Sequence, residues 1–395
     1  MHQSSSTNKP IVVIGSGLAA YTVIREFRKL NAEQSIILIT REAGDFYSKP
    51  MLSTAFASKK EAAQLISNAK EKMEAQLSIR ISSHTQVTKI DGELNTIVTL
   101  NAAGELATLE YAHLILAMGA DPIMLNTEGD GAAEVLSVND LDDYAKFREK
   151  LYDKKHVAIL GAGLIGCEFA NDLLTGGYQV DVIDPSPQVL GRLLPEAVAS
   201  ELQNKLSVLG VRWHLNTTTS SIVKQDGKLI LNLADGTQVS ADLILSAVGL
   251  RPRITIAQEA GIVVSRGIVV NRQLQTSVNN IYALGDCAEI GGLVLPYVMP
   301  IMHAAKTLAA VLAGQAGELI YPAMPVVVKT PVLPLVVSPP AMNTEGHWIV
   351  TNIEGGMLAR FENDAAQLLG FVLAGQATNQ RSALTKLLPD ILPAG

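Results

Sequence analysis

Residues 160–171 read LGAGLIGCEFAN, and residues 13–23 read VIGSGLAAYTV. Each follows a short apolar run and opens a helical pattern, the strand–turn–helix setting of a phosphate-cradling turn. The later stretch carries Gly161, Gly163 and Gly166 in full G-x-G-x-x-G spacing, and the earlier one carries Gly15, Gly17 and Ala20 in the G-x-G-x-x-A form. The first glycine permits the tight turn, the second lets the backbone approach a pyrophosphate, and the third position keeps the helix close to its strand. The helix that follows aims its free N–H groups and dipole at the phosphates. Ser16, Leu18 and Ala19 in one turn, and Leu164 and Ile165 in the other, join these as candidate dinucleotide contacts. Two such turns, 146 residues apart from Gly15 to Gly161, indicate a repeated α/β module.

Other apolar runs repeat the pattern. SIILIT, HLILAMGA, QVDVID and LILSAVG read as buried parallel strands alternating with helices, a doubly wound sheet in each module. The stretch ADPIMLNTEGDG at 120–131 is rich in turn formers and reads as the link between modules. Past Asp242, LILSAVGLRPR, NIYALGDCAE and a helix from about Pro300 to Gly314 are left over by both modules. The simplest assembly returns them to the first module, making the second an insertion. The tail differs: KTPVLPLVVSPP, HWIVTNIEGG and a leucine-rich helix near SALTKLLPDIL suggest a small α+β domain. Proline in the first of these runs marks an edge or irregular strand. The expected division is 1–118 and 244–318 for the first dinucleotide-binding domain, 119–243 for the second, and 319–395 for the C-terminal domain.

The chain has 395 residues, 48% of them hydrophobic and 17% charged, which requires a large buried core and excludes disordered and fibrous classes. A net charge of −7 argues against non-specific nucleic-acid binding. The polar start MHQSSSTNKP suggests no signal peptide, and no apolar run reaches the roughly 20 residues of a membrane helix. Only Cys167 and Cys287 are present, 120 residues apart and without a CxxC pair. That usage suits a reducing compartment, so a cytoplasmic protein without membrane insertion is expected.

The strand after the second turn ends in Asp184, 23 residues beyond Gly161. A carboxylate there accepts hydrogen bonds from both ribose hydroxyls of NAD and repels the 2′-phosphate of NADP. Pro185, Ser186 and Pro187 supply no cation to reverse this, so NADH is the expected ligand. At the corresponding place in the first module stand Thr40, Arg41 and Glu42. The Thr40 hydroxyl or Glu42 is open as the ribose partner, and Arg41 is a candidate for the adenine or the phosphates. Glu168, in the first turn of its helix, reads either as an acid favoured by the dipole or as a group where the nicotinamide meets a second cofactor. Lys49, in YSKPMLS, is either a solvated turn residue or a cation beside an electron-rich ring. One site for a resident carrier and one for an exchanging nicotinamide describe a flavoprotein.

Together VVIGSGLAA, YSKPMLS, LILAMGA, GAGLIGCEFA, SAVGLRP and NIYALGDCAE resemble the FAD/NAD-dependent pyridine-nucleotide oxidoreductases, over essentially the whole chain. With the tail VVVKTPVLPLVVSPP, the chain is most similar to the branch that reduces rubredoxin. The resemblance implies a glutathione-reductase-like fold: two Rossmann-like domains, for FAD and NAD, and a small α+β C-terminal domain. It implies that Asp286, beside Gly285, meets the flavin ribityl chain, that Val298 meets the pyrimidine edge, and that Val87 holds the adenine end. It places Ser48, Lys49, Pro50 and Ala117 at FAD, and puts Gly119 and Gly249 at the turns between domains. Lys329, the one charge in its apolar run, is either a snorkelling surface lysine or a group at the flavin.

Disulfide-reducing relatives carry a CxxC pair, and peroxide-reducing ones a single cysteine near YSKP; this chain has Ser48 and Lys49 there. Both its cysteines are therefore expected to be packing residues. The implied activity is hydride transfer from NADH to FAD, then single electrons to rubredoxin, as supply to a hydroxylase such as an alkane monooxygenase. Lys49, Glu168 and Lys329 are expected to position the cofactors, with no acid–base residue and no metal. A local basic patch including Lys49 and Lys329 is expected to steer an acidic rubredoxin. An oxygenase-type ferredoxin reductase, an NADH oxidase and an NADH-sensing flavoprotein remain the alternatives.

Overall fold

A computed structural model describes residues 9–394. The polar N-terminal segment on which the absence of a leader was argued lies outside these residues up to residue 8. The first turn sits on a five-stranded parallel sheet in the order 281–283, 113–116, 11–14, 36–39, 80–82. The strand Ile281–Ala283 comes from beyond the second module, so the first sheet is closed by a late segment of chain. Helices Leu18–Arg28 and Val298–Leu312 pack together on one face of this sheet. The second turn sits on another parallel sheet, ordered 135–136, 243–246, 156–160, 179–184, 211–215.

The duplication extends past the parallel sheets. Each module adds a three-stranded antiparallel sheet, residues 85–110 in the first and 219–241 in the second. The modules are joined where Ala120–Pro122 pairs antiparallel with Leu250–Pro252. Gly119 and Gly249 lead into those strands with φ of +69° and +123°, a region that suits glycine. This pairing corrects two readings of the sequence. The 120–131 link begins as a strand, and a boundary at 243/244 would cut Leu243–Ser246, which pairs with His156–Leu160. LILS therefore belongs to the second module, and the chain leaves that sheet only at Gly249.

The tail forms an antiparallel sheet in the order 326–328, 335–338, 368–375, 356–362, 347–353. Of KTPVLPLVVSPP only Leu335–Ser338 is strand, and it lies inside the sheet. The prolines mark a turn: Thr330 Oγ1 donates to the Leu333 carbonyl, and Leu333 N–H donates to that of Thr330. The leucine-rich helix shrinks to Arg381–Thr385. One apolar core joins Val328, Leu335 and Val372 of the tail to Phe169 and Leu173 of the second module and to Leu52 and Phe56 of the first. Three parts of the chain thus meet at one helix, Leu164–Thr175.

Candidate dinucleotide and electron-transfer site

Both glycine turns have the same construction. Gly15 and Gly161 have φ of +112° and +108°, and a Cβ on either would meet a backbone oxygen, Ala117 at 2.3 Å or Ala247 at 2.7 Å. A Cβ on Gly166 would lie 1.9 Å from the Gly161 oxygen, which explains why the helix comes this close. Gly17 and Gly163 are the N-caps of their helices, with no side-chain cap bond. In front of both, a Cβ would meet nothing within 4 Å. Free helix N–H groups facing open space fit two pyrophosphates.

The ribose positions differ. Asp184 Oδ2 accepts from Ala162 N–H at 2.6 Å and Oδ1 from Ser186 N–H at 2.7 Å, so the carboxylate is held against the second turn. In the first module Thr40 Oγ1 lies 2.8 Å from Ser16 Oγ and accepts from the N–H of Glu42 at 3.2 Å. Arg41 is exposed, and Leu18 and Ile165 sit at the mouths of their turns. Val87 is buried in the strand Thr85–Asp91, beside a bulge between Val87 and Lys89.

The three candidate positioning residues fall into two groups. Glu168 is fully buried. Its Oε2 accepts from Ser53 Oγ at 2.6 Å and lies 2.8 Å from Lys329 Nζ, while Oε1 accepts from Lys329 N–H at 2.9 Å. The Lys329 ammonium also donates to Ser53 Oγ at 2.9 Å and to the Pro50 carbonyl. Farther along the helix, Asn171 Oδ1 accepts from Val332 N–H at 3.2 Å, and Asp172 accepts from Phe56 and Ala57 N–H at 2.7 and 3.2 Å. Neither bland reading survives: Glu168 lies beyond the first turn of Leu164–Thr175 and is no dipole-favoured N-terminal acid, and the Lys329 side chain, 31% exposed, is ion-paired. That pairing neutralises Lys329, which removes it as a source of steering charge.

Lys49 belongs to the second group. It opens a short 3-10 helix, Lys49–Thr54, and its ammonium donates to Asn139 Oδ1 at 2.7 Å. Burial pushes this ammonium below its ordinary pKa, and the Asp286 carboxylate opposes the change. Burial in turn raises Asp286, with Lys49 and Arg253 pulling it back. Asp286 sits in the Gly285–Cys287 turn, where a Cβ on Gly285 would press within 2.9 Å of Ala19. Ser48 and Pro50 flank Lys49 and are half-buried, and Ala117 is buried in the strand-end turn. Val298 begins its helix with 41% exposure. Lys49 and Asp286 thus set two half-buried opposite charges within reach of each other's field, which fits a polar ring system rather than bulk packing.

Neither cysteine is placed for redox chemistry. Both are fully buried; Cys167 donates to the Ala162 carbonyl and Cys287 to that of Leu116. Burial pushes the Cys287 thiol up to about 11 and Cys167 higher still, away from the reactive thiolate. Among the described residues no group of His, Cys, Asp and Glu could hold a metal, and no helix is long and apolar enough to cross a membrane.

Sequence reasoning missed Ser53, Asn139, Asn171 and Asp172. The last two were readable: with Glu168 they stand at i, i+3 and i+4 in the apolar helix LIGCEFANDLLT, three polar groups on one face. Ser53 and Asn139 gave no such periodic signal.

The family model described as pyridine nucleotide-disulphide oxidoreductase matches residues 9–309. A second, described as rubredoxin binding C-terminal domain, matches residues 318–388. The rubredoxin-NAD(+) reductase of Acinetobacter baylyi is 47% identical, covering 98% of this chain and 99% of that protein. Its namesake from Alcanivorax borkumensis is 44% identical, covering 97% and 100%. A solved ferredoxin reductase from Rhodopseudomonas palustris superposes with a TM-score of 0.86 at 28% identity, over 96% of this chain and 95% of that one.

Proposed function

This chain belongs to the pyridine nucleotide-disulphide oxidoreductase family, and from that premise we propose that it is an NADH-dependent, FAD-containing reductase of rubredoxin. The observation that carries the reading is the full-length similarity to two rubredoxin-NAD(+) reductases, together with a C-terminal segment matching the rubredoxin-binding domain. FAD, when bound, supplies a two-electron acceptor for hydride that can return electrons singly. Everything else is the work of this chain's residues.

The turn at Gly161–Gly166 takes the NADH pyrophosphate, and Asp184 takes its ribose hydroxyls and rejects a 2′-phosphate. The turn at Gly15–Ala20 takes the FAD pyrophosphate, with Thr40 and Ser16 offering hydroxyls to the ribose. Lys49 and Asp286 place a cation and an anion beside the flavin. Glu168, Ser53 and Lys329 tie the helix that would carry NADH to the 3-10 helix and to the C-terminal sheet, so these segments would hold the two cofactors in one alignment. Alignment of this kind supplies much of the rate in a reaction that needs no acid or base. The cytoplasm is the expected compartment, on the strength of a cysteine usage that suits reducing conditions.

The rivals are an oxygenase-type ferredoxin reductase, an NADH oxidase and an NADH-sensing flavoprotein. A steady-state panel with NADH against rubredoxin, ferredoxin, oxygen and a disulfide separates them. The reading requires rubredoxin to be reduced at least about tenfold faster than the others. Equal or faster reduction of ferredoxin or oxygen overturns it.

A further inference from the structure

The residue holding Lys49 in place lies far from it in sequence. Asn139 is nine-tenths buried, at 6% exposure, and stands just before the helix Leu141–Lys150. Every polar group of this residue that could steer its side chain is committed. Its Oδ1 accepts from Lys49 Nζ at 2.7 Å, its amide NH2 donates to the Ala120 carbonyl at 3.0 Å, and its own N–H donates to Asp143 Oδ2 at 3.0 Å. These bonds fix which end of the amide faces the ammonium. The anchor itself is firm. Ala120 begins the antiparallel pair that joins the two modules, and Arg253 braces the same crossing through the Met118 carbonyl at 2.8 Å and Asp121 at 2.6 Å.

We infer that Asn139 is a positioning residue for the electron-transfer reaction, acting through Lys49 and held by the crossover between the two dinucleotide modules. The Lys49 side chain has several rotatable bonds and enters a half-buried region also occupied by Asp286 and Glu42, both carboxylates able to draw it away. A neutral acceptor fixed at 2.7 Å holds the ammonium at one place without cancelling its charge, so the charge stays available to the flavin. Asn139 is suited to this where an acid would not be. Because its other end is bonded to Ala120, a shift of the crossover moves Lys49 with it. The inference rests on the reading that Lys49 faces the flavin, and the experiment below tests that premise separately.

The test is a double-mutant cycle on the FAD-loaded enzyme with Asn139→Ala, Lys49→Met and the pair together. Two quantities are read: the rate of flavin reduction by NADH in anaerobic stopped flow, and the flavin midpoint potential by spectroelectrochemistry. Asn139→Ala is expected to slow flavin reduction about tenfold, the scale of losing a hydrogen bond to a charged group, and to shift the potential. In the Lys49→Met background the same substitution is expected to change the rate by no more than about twofold and to leave the potential where Lys49→Met alone puts it. If its effect is undiminished there, Asn139 acts on the fold of the crossover and the inference is overturned. If Lys49→Met alone leaves rate and potential unchanged, the premise about Lys49 fails instead. Should Asn139→Ala give too little folded holoenzyme, Asn139→Ser completes the cycle, since its short hydroxyl fills space without reaching Lys49; the same two outcomes decide.

Discussion

The two glycine turns are built on one frame and put to different uses. Gly15 N–H donates to the Ile39 carbonyl and Gly161 N–H to that of Ile183, which makes Thr40 and Asp184 structural counterparts. Ala117 and Ala247 close over the first glycine of each turn in the same way. With the frame held constant, the differences lie in side chains. Thr40 offers a neutral hydroxyl where Asp184 offers an anion. On the helices, Thr22, Arg25 and Glu26 occupy the places of Glu168, Asn171 and Asp172, counted from each turn. The first helix buries an almost wholly apolar face against its neighbour, while the second turns three polar side chains inward to hold two other segments. The first module is a holder; the second is also the joint of the molecule.

The most severe way to break this comparison is to fill the space before each helix. Gly17→Val and Gly163→Val both point a side chain into open space, so both proteins are expected to fold. Gly17→Val is expected to yield protein stripped of FAD, whereas Gly163→Val keeps FAD but loses NADH-dependent flavin reduction by about a hundredfold or more. Absorbance at the flavin band after purification, then stopped flow, reads the two. Loss of FAD from both would show that the assignments are not separable.

Next in size, Glu168→Ala strips Lys329 and Ser53 of their shared acceptor. Removing one partner of a buried pair costs about 3–5 kcal/mol; with Lys329 partly exposed, a loss of about 2–3 kcal/mol is expected in denaturant unfolding. Thr22→Ala, the counterpart, should cost less than about 1 kcal/mol, since among the described residues its side chain's only hydrogen bond is a weak one to Met302 sulfur at 4.0 Å. Similar costs for the two would erase the distinction between holder and joint. Smaller again, Asp184→Ala should lower the preference for NADH over NADPH about tenfold, measured as the ratio of kcat/KM values. An unchanged ratio sinks the ribose assignment.

The mildest effect concerns pH. Asp181 is buried, but hydrogen bonds from His156, Arg212 and His214 hold its carboxyl well below the usual range, while its counterpart in the first sheet is Ile37. A depressed pKa contributes stability that is full above the ordinary value of 3.8 and is lost as pH falls through the folded value. Asp181→Asn should therefore flatten the acid limb of the stability curve below about pH 4, followed by circular dichroism. An acid limb identical to that of the parent protein contradicts this.

Much of this was legible in the sequence for a physical reason: tight turns and buried parallel strands constrain consecutive residues. The glycines, Asp184 and the apolar runs could be placed because their spacing is local. Lys49 and Lys329 drew notice as isolated charges, yet their partners, Asn139 and Glu168, lie 90 and 161 residues away. Nothing local encodes such a meeting. The boundary near 243 was misplaced because LILS and the later IYA read alike as buried strands, and only pairing decides which sheet takes each.

On this reading one chain takes hydride from NADH and delivers electrons to rubredoxin. Anaerobic double-mixing stopped flow tests it directly, combining the FAD-loaded enzyme first with one equivalent of NADH and then with oxidised rubredoxin. Rapid loss of the flavin band is expected in the first mix, and its return together with bleaching of rubredoxin in the second. A flavin band that NADH leaves intact, or a reduced enzyme that rubredoxin fails to reoxidise, would contradict it.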